Sequence, residues 1–125
     1  MRFIIALLAF ANSAYAHEMT PTYFDIKPSF VDGISVIEMS FWNRRQDVTY
    51  YEIDVFDSEW NSISFAASNK LLYVEYLNKK NFDIYVKDND KDDIYYICTV
   101  SKILKSSQTS TGIASRICSK VNEDD

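Results

Sequence analysis

Apolar and polar residues alternate along short stretches of the chain, with the period of two that half-buried β-strands show. The clearest case is 34–42, where Ile37, Met39 and Phe41 alternate with polar neighbours. Further stretches of this kind are 23–30, 48–56, 62–66, 71–77, 82–87, 92–98 and 112–118. The residues predicted to face a core in the three most regular stretches are Ile37, Met39, Phe41, Tyr51, Ile53, Val55, Phe82, Ile84 and Val86.

Turn signals separate these stretches about every ten residues, as in all-β sandwiches. Asp32-Gly33 is the clearest of them, and polar clusters at 43–47 and 78–80 are others. No apolar pattern at helical spacing persists beyond about two turns. Seven or eight short strands therefore predict a two-sheet antiparallel β-sandwich. A small closed barrel is the alternative, because strand number alone does not separate the two folds.

The first sixteen residues have the pattern of a signal peptide. Met1-Arg2 is a short basic start, Phe3 to Phe10 is apolar, and Ala14-Tyr15-Ala16 has the small-x-small form of a cleavage site. The apolar run is too short for a membrane anchor, which needs roughly twenty residues. We therefore predict a signal peptide at 1–16, one domain at 17–125, a periplasmic or secreted location and no membrane span after cleavage.

The charge of the chain is acidic. Without the predicted signal peptide, 12 Lys and Arg stand against 18 Asp and Glu, a net charge near −6 with His neutral. This balance argues against a nucleic-acid partner, whose phosphates require clustered Lys and Arg. It argues equally against an anionic membrane surface.

Two cysteines, Cys98 and Cys118, lie in the last two predicted strands. A hairpin that turns around Gln108 would place them directly opposite each other. In an exported chain such a pair most simply forms a cross-strand disulfide. Two unpaired reactive thiols are the less favoured alternative, because neither cysteine belongs to a CxxC pair.

Catalytic and metal-binding groups are sparse. His17 is the single histidine, so neither a catalytic triad nor a multi-histidine metal site can be assembled. A terminal histidine offers copper its α-amine and imidazole, but such sites need a second histidine, and we expect a solvated terminal residue. Asp88, Asp90 and Asp92 have the first spacings of a calcium loop, yet Gly and Glu are missing at its sixth and twelfth positions, which favours a solvated hairpin. We predict no enzyme, metal or cofactor.

Three aromatic residues, Trp42, Tyr50 and Tyr85, fall on the polar faces of their predicted strands. Exposed aromatic side chains of this kind can mark an interaction surface. Packing at a sheet edge beneath a loop is the alternative.

Two family resemblances emerge from the strand pattern. Tyr96, two residues before Cys98, resembles the tyrosine corner of immunoglobulin domains. The chain from Pro21 to Val121 is more similar to the N-terminal immunoglobulin-like domain of periplasmic pilus-assembly chaperones. That likeness rests on a strand ending at Asn43, the alternating strand after it, and two late strands joined by a polar connection and a disulfide.

The chaperone resemblance implies an immunoglobulin-like antiparallel sandwich of about seven strands. It also implies that Lys27 and Lys120 grip the carboxylate of a bound subunit, while apolar residues of the last strand complete the sheet of that subunit. The matching apolar residues here are Ile113, Ile117 and Val121.

The expected function is therefore that of an exported, non-catalytic, chaperone-like domain that recognises a protein partner by β-strand addition along its edge. The resemblance implies a fimbrial or surface subunit as the partner. The alternative is a structural or surface-displayed sandwich domain without chaperone activity.

Overall fold

The computed structural model describes residues 17–102 and 115–123. Within these ranges the chain forms nine β-strands and one short 3₁₀ helix, Lys91–Asp93. The strands are β1 (Glu18–Thr20), β2 (Tyr23–Phe24), β3 (Lys27–Pro28), β4 (Ile34–Trp42), β5 (Tyr50–Phe56), β6 (Leu71–Tyr73), β7 (Lys79–Lys87), β8 (Tyr96–Lys102) and β9 (Arg116–Val121).

The strands form two sheets. In sheet A, β4 pairs antiparallel with β7 along its whole length and with β1 and β3 on its other side. Sheet B has the order β2-β9-β8-β5-β6, in which β2 is parallel to β9 and the other pairs are antiparallel. The two sheets share no strand among the described residues. The fold is therefore all-β and forms a β-sandwich, as the alternating pattern predicts.

The N-terminal stretch differs most from the prediction. Instead of one strand at 23–30, the chain pairs with β4 at β1, crosses to sheet B at β2, and returns to β4 at β3. Pro21 directly follows β1 and Pro28 ends β3, and neither residue supplies a backbone N–H with which the strand could continue its pairing. The stretch at 23–30 thus divides into β2 and β3, and β1 is an additional strand before it, so the described residues contain nine strands rather than about seven.

The core lies between the inner faces of the two sheets. All nine residues predicted to face it are buried, in strict alternation with more exposed neighbours. In the predicted strand at 62–66, only isolated bridges form, between Phe56 and Ser62 and between Ala66 and Tyr85.

Candidate partner-binding strand and its surroundings

The β8–β9 hairpin carries the disulfide. Cys98 lies opposite Cys118, and their sulfurs are bonded at 2.02 Å, so the predicted pairing and register are both present. Three positions away, the Ser101 N–H donates to the Ser115 carbonyl at 2.9 Å. Because hydrogen-bonded and non-hydrogen-bonded pairs alternate in an antiparallel ladder, the cysteines occupy a non-hydrogen-bonded pair. Their backbone groups therefore point away from each other's strand.

The side of β9 that faces away from β8 is only partly covered. The backbone groups of Ile117 and Ser119 point toward β8, so those of Arg116 and Cys118 point to the opposite side. On that side β2 pairs only with the last two residues of β9. Within the described ranges, no strand pairs with Arg116 or Cys118 there. An unpaired row of this kind is a template for another strand.

Ile117 and Val121 were predicted to insert into a bound partner. Their side chains point instead into the core of this domain. Ile117 lies opposite the buried Thr99, and both Ile117 and Val121 pack against the hydrophobic core. Ile113 lies outside the described residues. Ile117 and Val121 thus contribute to the stability of the domain, and the exposed part of β9 is its backbone and its outer row of side chains.

The two lysines predicted to hold a carboxylate lie on opposite outer faces of the sandwich. Lys27 is opposite Val36 on the outer face of sheet A, where its Nζ lies 3.4 Å from Glu38 Oε2. Lys120 is on the outer face of sheet B, with Nζ 4.8 Å from the centre of the Tyr95 ring. The structure does not bring Lys27 and Lys120 together at one site.

Tyr96 also lies on the outer face of sheet B, because the inner row of β8 is taken by residues such as the fully buried Ile97. Its ring stacks on Trp60 at 4.0 Å between centres, with 6° between the planes. The Arg116 guanidinium lies 4.7 Å from the Phe56 ring centre and 4.9 Å from that of Trp60. Tyr96 therefore does not take the inward position that a tyrosine corner requires, and Ile97 and Ile117 face the core instead.

A tight turn after β5 delivers Trp60 to this face. The Asp57 carboxylate accepts the backbone N–H of Glu59 at 2.9 Å and of Asn61 at 2.8 Å, and Trp60 takes a φ of +66° between them. These hydrogen bonds, first among them the one from the Asn61 backbone, lower the pKa of Asp57. The sequence marks the turn through Asp57-Ser58-Glu59, but nothing in the period-two pattern indicates that Trp60 folds back onto sheet B.

His17 is buried, with 3% of its surface exposed. Its Nε2 lies 3.0 Å from Thr99 Oγ1, and its Nδ1 lies 3.3 Å from Ser115 Oγ. The ring packs against Phe41 and Tyr51, with ring centres 5.0 and 4.7 Å away. The expectation of a solvated terminal histidine is wrong, because the pairing of β1 with β4 draws the preceding residue between the two sheets.

An ion pair borders the histidine. Arg45 donates from Nε and Nη2 to both carboxylate oxygens of Asp47, at 2.9 and 2.6 Å, while its Nη1 lies 3.3 Å from Ser115 Oγ. Their hydrogen bonds lower the pKa of Asp47 and raise that of Arg45. Burial, opposed by the hydrogen bond to the Thr99 backbone and aided by the nearby Arg45 charge, lowers the pKa of His17 from 6.5 to about 4. The imidazole is therefore neutral in the folded protein at neutral pH.

A pH-dependent loss of stability follows from the lowered pKa of His17. Between about pH 6.5 and pH 4 the unfolded chain takes up a proton on His17 that the folded chain does not, so acidification in this window favours unfolding. We expect His17 to account for a loss of about 2–3 kcal/mol across it. Urea unfolding at pH 7 and pH 4.5 measures the loss, and His17→Gln, which cannot titrate, is the control. An equal loss in the variant contradicts the assignment.

Asn43 organises the buried end of the sandwich beside His17. Its Nδ2 donates to the carbonyls of Val48 at 2.7 Å and Val74 at 2.8 Å. Its Oδ1 accepts the Tyr51 hydroxyl at 2.6 Å and the Arg45 N–H at 2.9 Å. Burial raises the pKa of Tyr51 to about 12, which keeps this hydroxyl a donor. The sequence shows Asn43 only as the end of a strand, since a satisfied buried amide leaves no periodic signal.

The geometry around His17 resembles a structural network more than a nucleophilic site. Ser115 Oγ lies near Nδ1, but the other ring nitrogen lies beside Thr99, and no carboxylate of the described residues contacts the imidazole. A serine nucleophile needs a histidine base that a third group orients and whose charged form is stabilised. Here burial stabilises the neutral form. The network joins β1, the β4–β5 loop, β8 and the start of β9.

The alternate aspartates Asp88, Asp90 and Asp92, for which the sequence favours a solvated hairpin over a calcium loop, lie in the segment that follows β7. Asp88 Oδ1 accepts the Ser35 hydroxyl at 2.6 Å, and Asp92 belongs to the 3₁₀ helix. Across 17–102 and 115–123, no group of three or more His, Cys, Asp or Glu side chains is arranged to hold a metal ion.

The three aromatic residues expected on polar faces follow two patterns. Trp42 and Tyr85 are partly exposed on the outer face of sheet A, and the Arg44 guanidinium lies 4.2 Å from the centre of the Trp42 ring. Tyr50 instead packs against Tyr73 on the outer face of sheet B, with 5.1 Å between ring centres. Trp42 and Tyr85 are therefore exposed, whereas Tyr50 packs against a residue of the neighbouring strand.

The chain matches no protein-family model, no curated protein and no solved structure. Among the described residues, no helix is long and apolar enough to cross a membrane.

Proposed function

We propose that this chain is an exported, non-catalytic binding domain that recognises a protein partner by accepting a β-strand beside β9. The observation that carries the proposal is the row of outward backbone groups at Arg116 and Cys118, next to the short stretch of β9 that β2 covers. A strand added there continues the line of β2. In such binding, main-chain hydrogen bonds supply affinity and neighbouring side chains supply specificity.

The size of the open row limits its affinity. Two residues offer two N–H and two C=O groups, so about four hydrogen bonds can form, each with a net contribution of about 1 kcal/mol. This is too little for stable binding without side-chain contacts. The side chains of Arg116, within the row, and of Lys120, next to it, lie on the outer face of sheet B and favour an acidic side chain in the added strand.

Export is supported by the disulfide, since such bonds persist in oxidising compartments and are rare in the cytosol. It is also supported by the signal-peptide pattern at the start of the sequence. The resemblance to pilus-assembly chaperones supports a fimbrial or surface subunit as the partner. The separation of Lys27 from Lys120 means that a chaperone role, in our proposal, relies on the backbone of β9 and not on a two-lysine grip.

A pair of substitutions at one position tests the proposal. Arg116→Pro removes an outward N–H without touching the ladder to β8, whereas Arg116→Ala keeps that N–H. Both variants lose the guanidinium over Phe56 and Trp60, so their difference isolates the backbone group. We expect the proline variant to bind the partner recovered with the wild-type protein about fivefold more weakly than the alanine variant, because one hydrogen bond contributes about 1 kcal/mol. Calorimetric titration measures the two affinities, and equal affinities would contradict the proposal.

The alternative is a structural or surface-displayed domain without chaperone activity. It is favoured by the inward placement of Ile117 and Val121, which fills the core of this domain and leaves the described part of β9 without an apolar row for a partner. It predicts that the purified protein is a stable monomer that protects no unfinished surface subunit from aggregation. A light-scattering assay with such a subunit distinguishes the two functions.

A further inference from the structure

The turn between β3 and β4 holds two apolar side chains in solvent. Phe30 has 109% of its reference surface exposed, and its neighbour Val31 has 62%. Burying a phenylalanine side chain is worth about 1.5–3 kcal/mol. In the isolated chain Phe30 gains none of this stabilisation, although Ile37, a few residues later in the sequence, is part of the core.

This exposure is built into the turn. The Ser29 N–H donates to the Ile34 carbonyl at 3.1 Å, and the Ile34 N–H donates to the Val31 carbonyl at 3.2 Å. The Ser29 hydroxyl oxygen also accepts the Val31 N–H at 3.1 Å. Gly33 supplies the left-handed residue of the turn, with φ +81°. The backbone on both sides of Phe30 is thus held by hydrogen bonds, and this turn places the Phe30 side chain in solvent.

The surroundings of this tip are acidic. The turn is tied to the loop after β7, because Asp88 N–H donates to the Gly33 carbonyl at 2.9 Å and Ser35 Oγ donates to Asp88. Together, residues 29–33 and 87–93 contain five aspartates and two lysines, a net charge of −3. A shallow cavity of about 220 Å³ lies between the two segments, beside Val31.

We propose that the Phe30–Val31 tip docks into an apolar pocket of a partner protein whose rim carries lysine and arginine. An aromatic anchor that enters a pocket while charges meet around it is the usual arrangement of a binding hot spot. The aspartates repel an anionic membrane surface, and they equally repel the same tip of a second copy of this chain. The inference does not depend on strand addition at β9.

The first experiment places a photo-crosslinking phenylalanine analogue at position 30 of the full chain and irradiates it in the native compartment. The same analogue at position 77 is the control, because Leu77 is also exposed in a turn but stands beside Lys79 and Lys80. We expect a protein adduct at position 30 and none at position 77. Absence of an adduct at position 30, or the same adduct at both positions, overturns the inference.

The second experiment measures binding of that captured protein after purification. We expect Phe30→Ser to weaken it about tenfold or more and Leu77→Ser to leave it unchanged, and we expect binding to weaken as salt is raised. Phe30 makes no core contact, so the variant should unfold at the same urea concentration as the wild type. Equal binding by both variants, or binding that salt does not affect, contradicts the proposed pocket and rim.

Other occupants give different results. Sedimentation of the wild-type protein, but not of Phe30→Ser, with phosphatidylcholine vesicles would assign the tip to a membrane. A dimer that Phe30→Ser dissociates, seen by sedimentation equilibrium, would assign it to a second copy. Either result overturns the inference. Arg116→Pro should leave the adduct at position 30 unchanged, so failure at β9 is distinguishable from failure at the tip.

Discussion

Asn43→Ala should lower the free energy of unfolding by about 3–4 kcal/mol. The wild-type amide is fully buried and satisfies four other groups, among them the carbonyls of Val48 and Val74. Its removal leaves those carbonyls and the hydroxyl of Tyr51 without their partner in the buried interior, and each such loss costs about 1–3 kcal/mol. In the described parts of the wild-type chain, no buried side-chain polar atom lacks a hydrogen-bond partner.

Urea unfolding followed by circular dichroism measures this loss. Asn89→Ala is the matched control, because Asn89 is exposed in the loop after β7, and we expect it to change the free energy of unfolding by less than about 0.5 kcal/mol. If both variants unfold at the wild-type urea concentration, the proposed role of Asn43 in joining the β4–β5 loop to Val74 is wrong.

Removal of the disulfide should cost about 3 kcal/mol. The bond between Cys98 and Cys118 closes a ring across a sequence separation of 20, and the loop-entropy model assigns a ring of that size about this stabilisation. Cys98 is fully buried although it lies on the outer face of sheet B. A domain whose total stability is about 5–15 kcal/mol will register such a loss clearly.

The double variant Cys98→Ser/Cys118→Ser provides the measurement, again by urea unfolding. Wild-type protein treated with reductant should reach the same reduced stability, and intact mass with and without reductant reports the state of the bond. If the double variant is as stable as the oxidised wild type, the disulfide contributes nothing to the free energy of unfolding.

The regular strands were predictable from the sequence because a half-buried strand has apolar residues on its core side and polar residues on its solvent side, and these alternate along the chain. The pattern at Ile37, Met39 and Phe41 places β4 correctly, and the hairpin symmetry around Gln108 gives the pairing of Cys98 with Cys118. The N-terminal stretch was not predictable in this way. Its three short strands pair with two different sheets, and these pairings depend on which neighbouring strands the folded chain brings close. A strand of two or three residues is also too short to show an alternation of apolar and polar positions.

The surroundings of the candidate site were less predictable than the strands. His17 gives no local signal of burial, because its partners Thr99 and Ser115 are distant in sequence and become neighbours only when the sandwich closes. Lys27 and Lys120 were linked through a family resemblance, and the sheet assignment of their strands separates them. The unpaired side of β9 was likewise not predictable, because it exists only since β2 is too short to pair with all of β9.

Amide hydrogen exchange of residues 116–119, in the protein alone and with its bound partner, tests strand addition most directly. In the free protein, we predict fast exchange at Arg116 and Cys118 and slow exchange at Ile117 and Ser119, whose N–H groups face β8. In the complex, Arg116 and Cys118 should become protected as well. Slow exchange at all four residues in the free protein, or fast exchange at Arg116 and Cys118 in the complex, would contradict it.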